Sequence, residues 1–200
     1  MRDEETGTYW QQISGEAVAG PLKGQHLEII SADELTFKLW RAEQPSGTVL
    51  EDDAKFASQY APKDWDVKMQ KAPTVLSYAE PGRQPRDLML GIHAFGSSRA
   101  FPYETVIKAK LIQDHVGPES ILLVVGPDNQ SVRAFRRKDS ADFYLLKDEP
   151  GFLMDSLTGT KWNFQGCNPS GVCLERIDII KDYWFDWRHY HPDTTVFKNK

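Results

Sequence analysis

Thr6-Gly7-Thr8-Tyr9-Trp10 returns 152 positions later as Thr158-Gly159-Thr160-Lys161-Trp162. The correspondence continues beyond these five residues. After one dropped residue, Gly15 and Gly20 match Gly166 and Gly171. The later stretch then lacks the four residues from Pro21 to Gly24, after which Leu27-Glu28 matches Leu174-Glu175 and Ile30 matches Ile177. Trp40-Arg41 matches Trp187-Arg188, and Pro45, Thr48 and Val49 match Pro192, Thr195 and Val196. Identities at Trp, Gly and Pro with only two short gaps mark an internal repeat, so residues 3–50 and 155–198 are expected to be two copies of one unit.

Each copy has the same physical pattern. A turn whose glycine supplies positive φ (Asp3–Gly7, Asp155–Gly159) leads into an alternating segment around Trp10 or Trp162. A Gly- and Pro-rich loop follows, then a strand predicted at Leu27–Ile30 or Leu174–Ile179. Short helices are predicted over Leu35–Glu43 and Tyr183–Tyr190, the second with Asp182 as its N-cap. Phe37 and Trp40, like Trp184 and Trp187, lie three apart and therefore share a helix face. Pro45 and Pro192 end these helices, and Thr-Val opens a last strand in each copy. Trp10, Trp40, Trp162, Trp184 and Trp187 are the expected core anchors.

Residues 51–84 are polar, with prolines at 62, 73 and 81, and are expected to form a linker with little core. Residues 85–200 are expected to be a complete second unit, and residues 1–50 the C-terminal part of a first. Strands are predicted at Leu88–Ala94, Ser98–Phe101, Ile121–Val125, Val132–Arg136, Phe143–Leu146 and Gly151–Met154, with a short helix over Tyr103–Leu111. The turns between them are too short for parallel crossovers. The expected fold class is mainly β: antiparallel β-rich repeat units with short helices.

Bulk properties exclude some partners. The net charge is -5, and the one basic cluster, Arg133, Arg136, Arg137 and Lys138, sits beside Asp139 and Asp142. It is expected to be a solvated strand end, and nucleic acid is not an expected partner. The longest apolar run, Ile121–Val125, is strand-sized, so no membrane span is expected. Cys167 and Cys173 flank a Gly/Pro-containing turn, and three readings stand: a disulfide, two free thiols, or a metal or redox site.

The residues resemble a prokaryotic family, domain of unknown function 3179. Thr6-Gly7-Thr8-Tyr9-Trp10-Gln11-Gln12, Gly15-Glu16-Ala17, Gly20-Pro21-Leu22-Lys23-Gly24 and Leu27-Glu28 carry the resemblance. It continues with Trp187, His191-Pro192-Asp193-Thr194 and Val196, and upstream with Gly91, Arg99-Ala100-Phe101-Pro102, His115-Val116-Gly117 and Ala134-Phe135. Many members carry a Cys-Pro-x-Cys-Gly turn; the matching stretch here is Gly126-Pro127-Asp128-Asn129-Gln130, which has neither sulfur. Any metal or redox chemistry held by that turn in relatives is therefore not implied here. Met1 falls inside the motif, so the resemblance implies upstream sequence. Family members often look exported, so it also implies an extracytoplasmic location, with which a Cys167–Cys173 bridge would agree.

No motif announces an activity. There is no Gly-x-Ser-x-Gly elbow and no phosphate-binding Gly-Lys-Ser or Gly-Lys-Thr loop. His115, on a predicted tight turn, His191 and Asp193 are the weak candidates for a metal or an active site. His189 and His191 are expected to sit at a helix end near free carbonyls. No cofactor and no catalytic residue is assigned. The expectation is a non-catalytic extracytoplasmic binding or scaffold module for a protein or small-molecule partner, with self-association through residues 1–50 as one way to satisfy open strand edges. The alternative is an enzyme using His115, His191 and Asp193.

Overall fold

The computed structural model describes residues 1–30, 32–74 and 80–198. The chain begins with a hairpin, β1 (Tyr9–Trp10) and β2 (Ala17–Ala19), followed by α1 (Phe37–Glu43), a short 3₁₀ helix (Ala54–Gln59) and α2 (Trp65–Lys71). Then come β3 (Leu88–Ala94), β4 (Ser97–Pro102), α3 (Tyr103–Ala109), β5 (Leu111–Val116), β6 (Glu119–Val125), β7 (Val132–Arg136), β8 (Phe143–Leu145) and β9 (Leu153–Asp155). The last elements are β10 (Lys161–Trp162), β11 (Arg176–Ile177), β12 (Ile180–Tyr183), α4 (Trp184–Tyr190) and β13 (Thr195–Val196).

Two four-stranded sheets, ordered β11-β7-β6-β5 and β12-β3-β4-β13, carry the core. Smaller sheets, β10-β9-β8 and β1-β2, flank them. Every described pairing is antiparallel except β13 beside β4, which gives the mainly antiparallel β class.

The apolar run in β6 follows from its place between two cores. Ile121, Leu123 and Val125 join Leu90, Ile92, Phe101, Val106 and Ile177 in one cluster. Leu122 and Val124, on the opposite face, join Phe135, Phe143, Leu153 and Phe164. A strand buried on both sides reads as continuous hydrophobics, because its period-two alternation has no polar half. β3 divides likewise: Leu90 and Ile92 face the first cluster, while Met89 meets Ala100, Trp184 and Trp187 in a third. Gly91 lies on that third face because a Cβ there would be 2.3 Å from the Trp187 ring.

Several expectations are corrected. Leu27–Ile30 and Thr48-Val49 form no strand: beside the first there is only the isolated Glu16–His26 bridge and the Leu27 N–H bond to the Gly15 carbonyl, and no ladder forms along either among the described residues. Leu111–Val116 is strand β5, so His115 lies within a strand, opposite Ser120, and the turn begins only at Gly117. The polar Gln113-Asp114-His115 hid it: Ile112 and Val116 face the core, Asp114 pairs with Arg99 at 2.6 Å, and Gln113 bonds the Phe143 backbone. Asp182 does not cap α4, whose N-cap is Tyr183; among the described residues its carboxylate accepts only the adjacent Tyr183 N–H, at 2.7 Å. The basic cluster is not solvated throughout: the Arg133 side chain is 3% exposed and paired with Glu43 and Asp33.

Candidate functional site

The two Thr-Gly-Thr-x-Trp stretches make the same hydrogen bonds. Trp10 Nε1 donates to Asp3 at 2.8 Å, and Trp162 Nε1 donates to Asp155 at 3.0 Å. The Thr6 hydroxyl and N–H both donate to Asp3, as those of Thr158 do to Asp155. These donors hold the Asp3 carboxyl down at about 2, the Thr6 N–H first and Trp10 next. At Asp155 burial pushes upward but Trp162 and Thr158 outweigh it, and the carboxyl is again lowered. The helices that follow are also alike: the C-cap backbone angles are φ -125, ψ 69 at Gln44 and φ -125, ψ 68 at His191.

Residues 33–43 are locked onto the second half of the chain. Arg133, buried beneath them, gives two parallel bonds of 2.7 Å to Glu43 and bonds of 2.6 and 3.1 Å to Asp33. Burial acts to lower its pKa, and the two carboxylates reverse that and raise it. Asp128, in the turn where the resemblance would place cysteines, accepts the Thr36 hydroxyl at 2.7 Å. Thr36 is the N-cap of α1, so this turn anchors a helix start. Leu35 and Leu39 pack against the Phe135–Phe164 core. Arg136 is tied to Glu119 and Glu175, and Arg137 to four backbone carbonyls.

Between the N-terminal segment and β11–β12 lies a cleft of about 710 Å³. Leu90, Ile177, Ile179 and Ile180 contribute apolar wall, and Asp33 and Glu34 face it already paired with Arg176 and Lys181. Asp182 and Asp186 also line it. Asp182 Oδ2 is buried and has no hydrogen-bond partner among the described residues. Burial, then the neighbouring Asp186 charge, pushes Asp182 up to about 6, and burial raises Asp186 as well. Two neighbouring carboxyls whose ionisation is held back can accept a cation, or exchange a proton with whatever enters. Nothing in the sequence marks this pair, where Asp182 reads only as a helix cap.

The histidine candidates have different partners. His115 Nε2 is 2.9 Å from the buried Ser120 hydroxyl, which also bonds Asp139. The single Ser120 proton goes to the carboxylate, so His115 donates to the hydroxyl. In a nucleophilic triad the serine would instead donate to the imidazole, and the carboxylate would orient the histidine. His191 stacks on His93 at 4.8 Å and lies tilted against Trp187 at 4.0 Å, and the Ser98 hydroxyl lies 2.7 Å from His93 Nδ1 and 3.3 Å from His191 Nδ1. Burial, then the His93 charge, lowers His191 to about 4. Asp193 is exposed. No three His, Cys, Asp or Glu side chains are grouped to hold a metal among the described residues.

Among the anchor tryptophans, Trp184 and Trp187 are fully buried and Trp10 nearly so, while Trp40 and Trp162 are half-buried. Cys167 and Cys173 are joined in a disulfide across an isolated antiparallel bridge, with Cα atoms 4.0 Å apart, closer than the roughly 5.5 Å usual for disulfides.

These observations define a mainly antiparallel β protein with an acid-lined, half-apolar cleft. The family model described as "Protein of unknown function (DUF3179)" matches residues 1–194, and the chain belongs to that family. The match runs through both Trp-bearing segments as one span, so it does not separate a preceding partial copy from a complete one. Neither a comparison with curated proteins nor one with solved structures found a match. No helix of the described residues is long and apolar enough to cross a membrane.

Proposed function

We propose that this protein is a non-catalytic extracytoplasmic binding or scaffold module whose ligand docks in the cleft over Asp182 and Asp186. The observation that carries the reading is the buried, unpartnered Asp182 oxygen beside a cleft with apolar walls. A carboxylate oxygen without a donor is unfavourable by roughly 1–3 kcal/mol, and an incoming N–H or ammonium would relieve it. The extracytoplasmic part rests on the disulfide, since such bonds persist in oxidising compartments.

The reading includes residues 3–50 and 155–198 as two copies of one unit, with 51–84 as a linker and 85–200 as the complete unit. Its supports are the matched Asp-Thr-Thr-Trp bonds and the matched helix ends. In that correspondence Leu35 and Leu39 occupy the places of Asp182 and Asp186. The leucines are packed on a core, whereas the carboxylates line an open cleft. The same helix edge serves as a docking edge in both, made polar in the second.

The test is a thermal-shift screen of the whole chain against amines, guanidines, neutral sugars and carboxylates at neutral pH. A ligand at one hundred times its Kd stabilises the folded state by about 2.7 kcal/mol. The expected result is a cationic ligand whose shift disappears in a folded Asp182→Asn variant. A ligand unaffected by that substitution, or turnover of any compound in the panel, would overturn the reading.

A further inference from the structure

The face of α1 that carries Phe37 and Trp40 is open, whereas its counterpart on α4 is closed. By the correspondence of the two segments, Phe37 aligns with Trp184, Trp40 with Trp187, Ile30 with Ile177, Val49 with Val196 and Leu50 with Phe197. Trp184 and Trp187 are 0% exposed and Ile177 5%, while Phe37 is 66%, Ile30 85%, Val49 65% and Leu50 98% exposed. The difference has a visible cause. The β3–β4 hairpin covers the α4 face with Met89 and Ala100, and Gly91 admits the Trp187 ring. β4 also pairs in parallel with Thr195 and Val196. Nothing corresponding lies over α1 among the described residues, and Thr48 and Val49 belong to no strand.

We propose that residues 37–50 form a docking surface for an antiparallel β-hairpin of the β3–β4 kind. One strand of that hairpin pairs in parallel with Thr48–Val49, and a glycine lies opposite Trp40. The segment presents its apolar groups together: Phe37 and Trp40 are in ring contact at 5.5 Å, and Gly47 folds back onto the Trp40 ring. Phe37, Val49 and Leu50 together leave on the order of 400 Å² of apolar surface exposed, the size of a functional patch on a monomer. A stable homodimer takes about 800 Å² from each partner, so the patch fits a hairpin better than a second copy. Open backbone at Thr48–Val49 gives the hairpin main-chain bonds as well as apolar contact. The inference rests on the correspondence between the two segments and is independent of what occupies the cleft.

The experiment uses the whole chain lengthened at its start by a second copy of residues 85–152, which places a β3–β4 hairpin ahead of residue 1 at the spacing of the second unit. Amide hydrogen exchange is followed in residues 36–50. The expected result is at least tenfold slower exchange there than in the 200-residue chain, reversed when Phe37→Glu is introduced into the lengthened chain. Unchanged exchange overturns the proposal, whether the added segment has folded or not. So does sedimentation showing a dimer of the 200-residue chain that Phe37→Glu dissociates, because the face would then belong to a second copy. Cleft occupancy is measured separately by thermal shift, so a failed ligand screen leaves this result standing.

Discussion

Two ionisable side chains, Asp182 and His191, impose opposite pH dependences on stability. Asp182 titrates at about 6 in the folded chain against an ordinary 3.8. Between those values the folded state holds a proton that the unfolded state has released, so stability falls as pH rises through this window and stays lower above it. Asp182→Asn should therefore raise stability at pH 8 by about 1–2 kcal/mol, after allowance for solvent screening at a partly exposed group, with the gain gone near pH 4. Urea unfolding at the two pH values measures it; equal gains at both would contradict the assignment. His191 titrates at about 4 against an ordinary 6.5, so there the unfolded state binds the proton first. Its contribution is complete above about 6.5 and is lost as pH falls toward 4, and His191→Gln should flatten that acid limb. Neither shift was legible in the sequence. Asp182 reads as a helix cap and His191 as a helix-end histidine until the cleft and the His93 ring are in place.

At the scale of elements, the docking of α4 on β3–β4 depends on one large and one absent side chain. Trp187 is fully buried with its Nε1 donating to Thr194 at 3.1 Å, so Trp187→Ala should destabilise the chain by about 3–5 kcal/mol. Gly91→Ala should do comparable harm from the other side, because the new methyl would meet the indole at 2.3 Å. Chemical denaturation of both variants tests the pair; a neutral Gly91→Ala would mean that the helix can ride outward freely. The disulfide belongs to this scale too. It spans a sequence separation of six, so the chain-entropy model puts its contribution below the roughly 3 kcal/mol of a 15-residue loop. Replacing both cysteines by serine should lower stability modestly and leave the fold intact by circular dichroism. Strands β3 and β7 match their predicted bounds to the residue because each has glycine or proline punctuation and an apolar pattern to define it. β5 was lost because its side chains answer to an ion pair and a backbone bond on other strands.

The whole molecule is unevenly covered. Residues 85–198 supply nearly all of the buried clusters, while Leu27, Ile29, Ile30, Phe37, Val49 and Leu50 stay exposed and α2 has no buried residue. Arg133 ties the two parts together through two bonds to Glu43 and two to Asp33. Truncating it to Ala would leave Glu43 without its guanidinium and Asp33 with Arg176 alone, beside an emptied pocket; loss of one partner of a buried pair destabilises by about 3–5 kcal/mol. Hydrogen exchange in residues 33–43 of Arg133→Ala should accelerate far more than exchange in β6, and uniform acceleration would show that the chain opens only as one unit.

By itself the sequence determined the β class, the strands with clean punctuation, the two Trp-bearing helices and the pairing of the cysteines as one of three readings. These depend on local periodicity, turn chemistry and short separations, which a chain carries with it wherever it folds. Tertiary structure alone decided that Leu27–Ile30 and Thr48-Val49 would not be strands, since a strand exists only where a partner edge is offered. It also decided that Arg133 would be buried, that His115 would bond Ser120 while His191 lies against His93, and that Asp182 would face a cleft with an oxygen unpaired among the described residues. Burial and electrostatic neighbours are properties of packing between distant segments, and no window of sequence contains them.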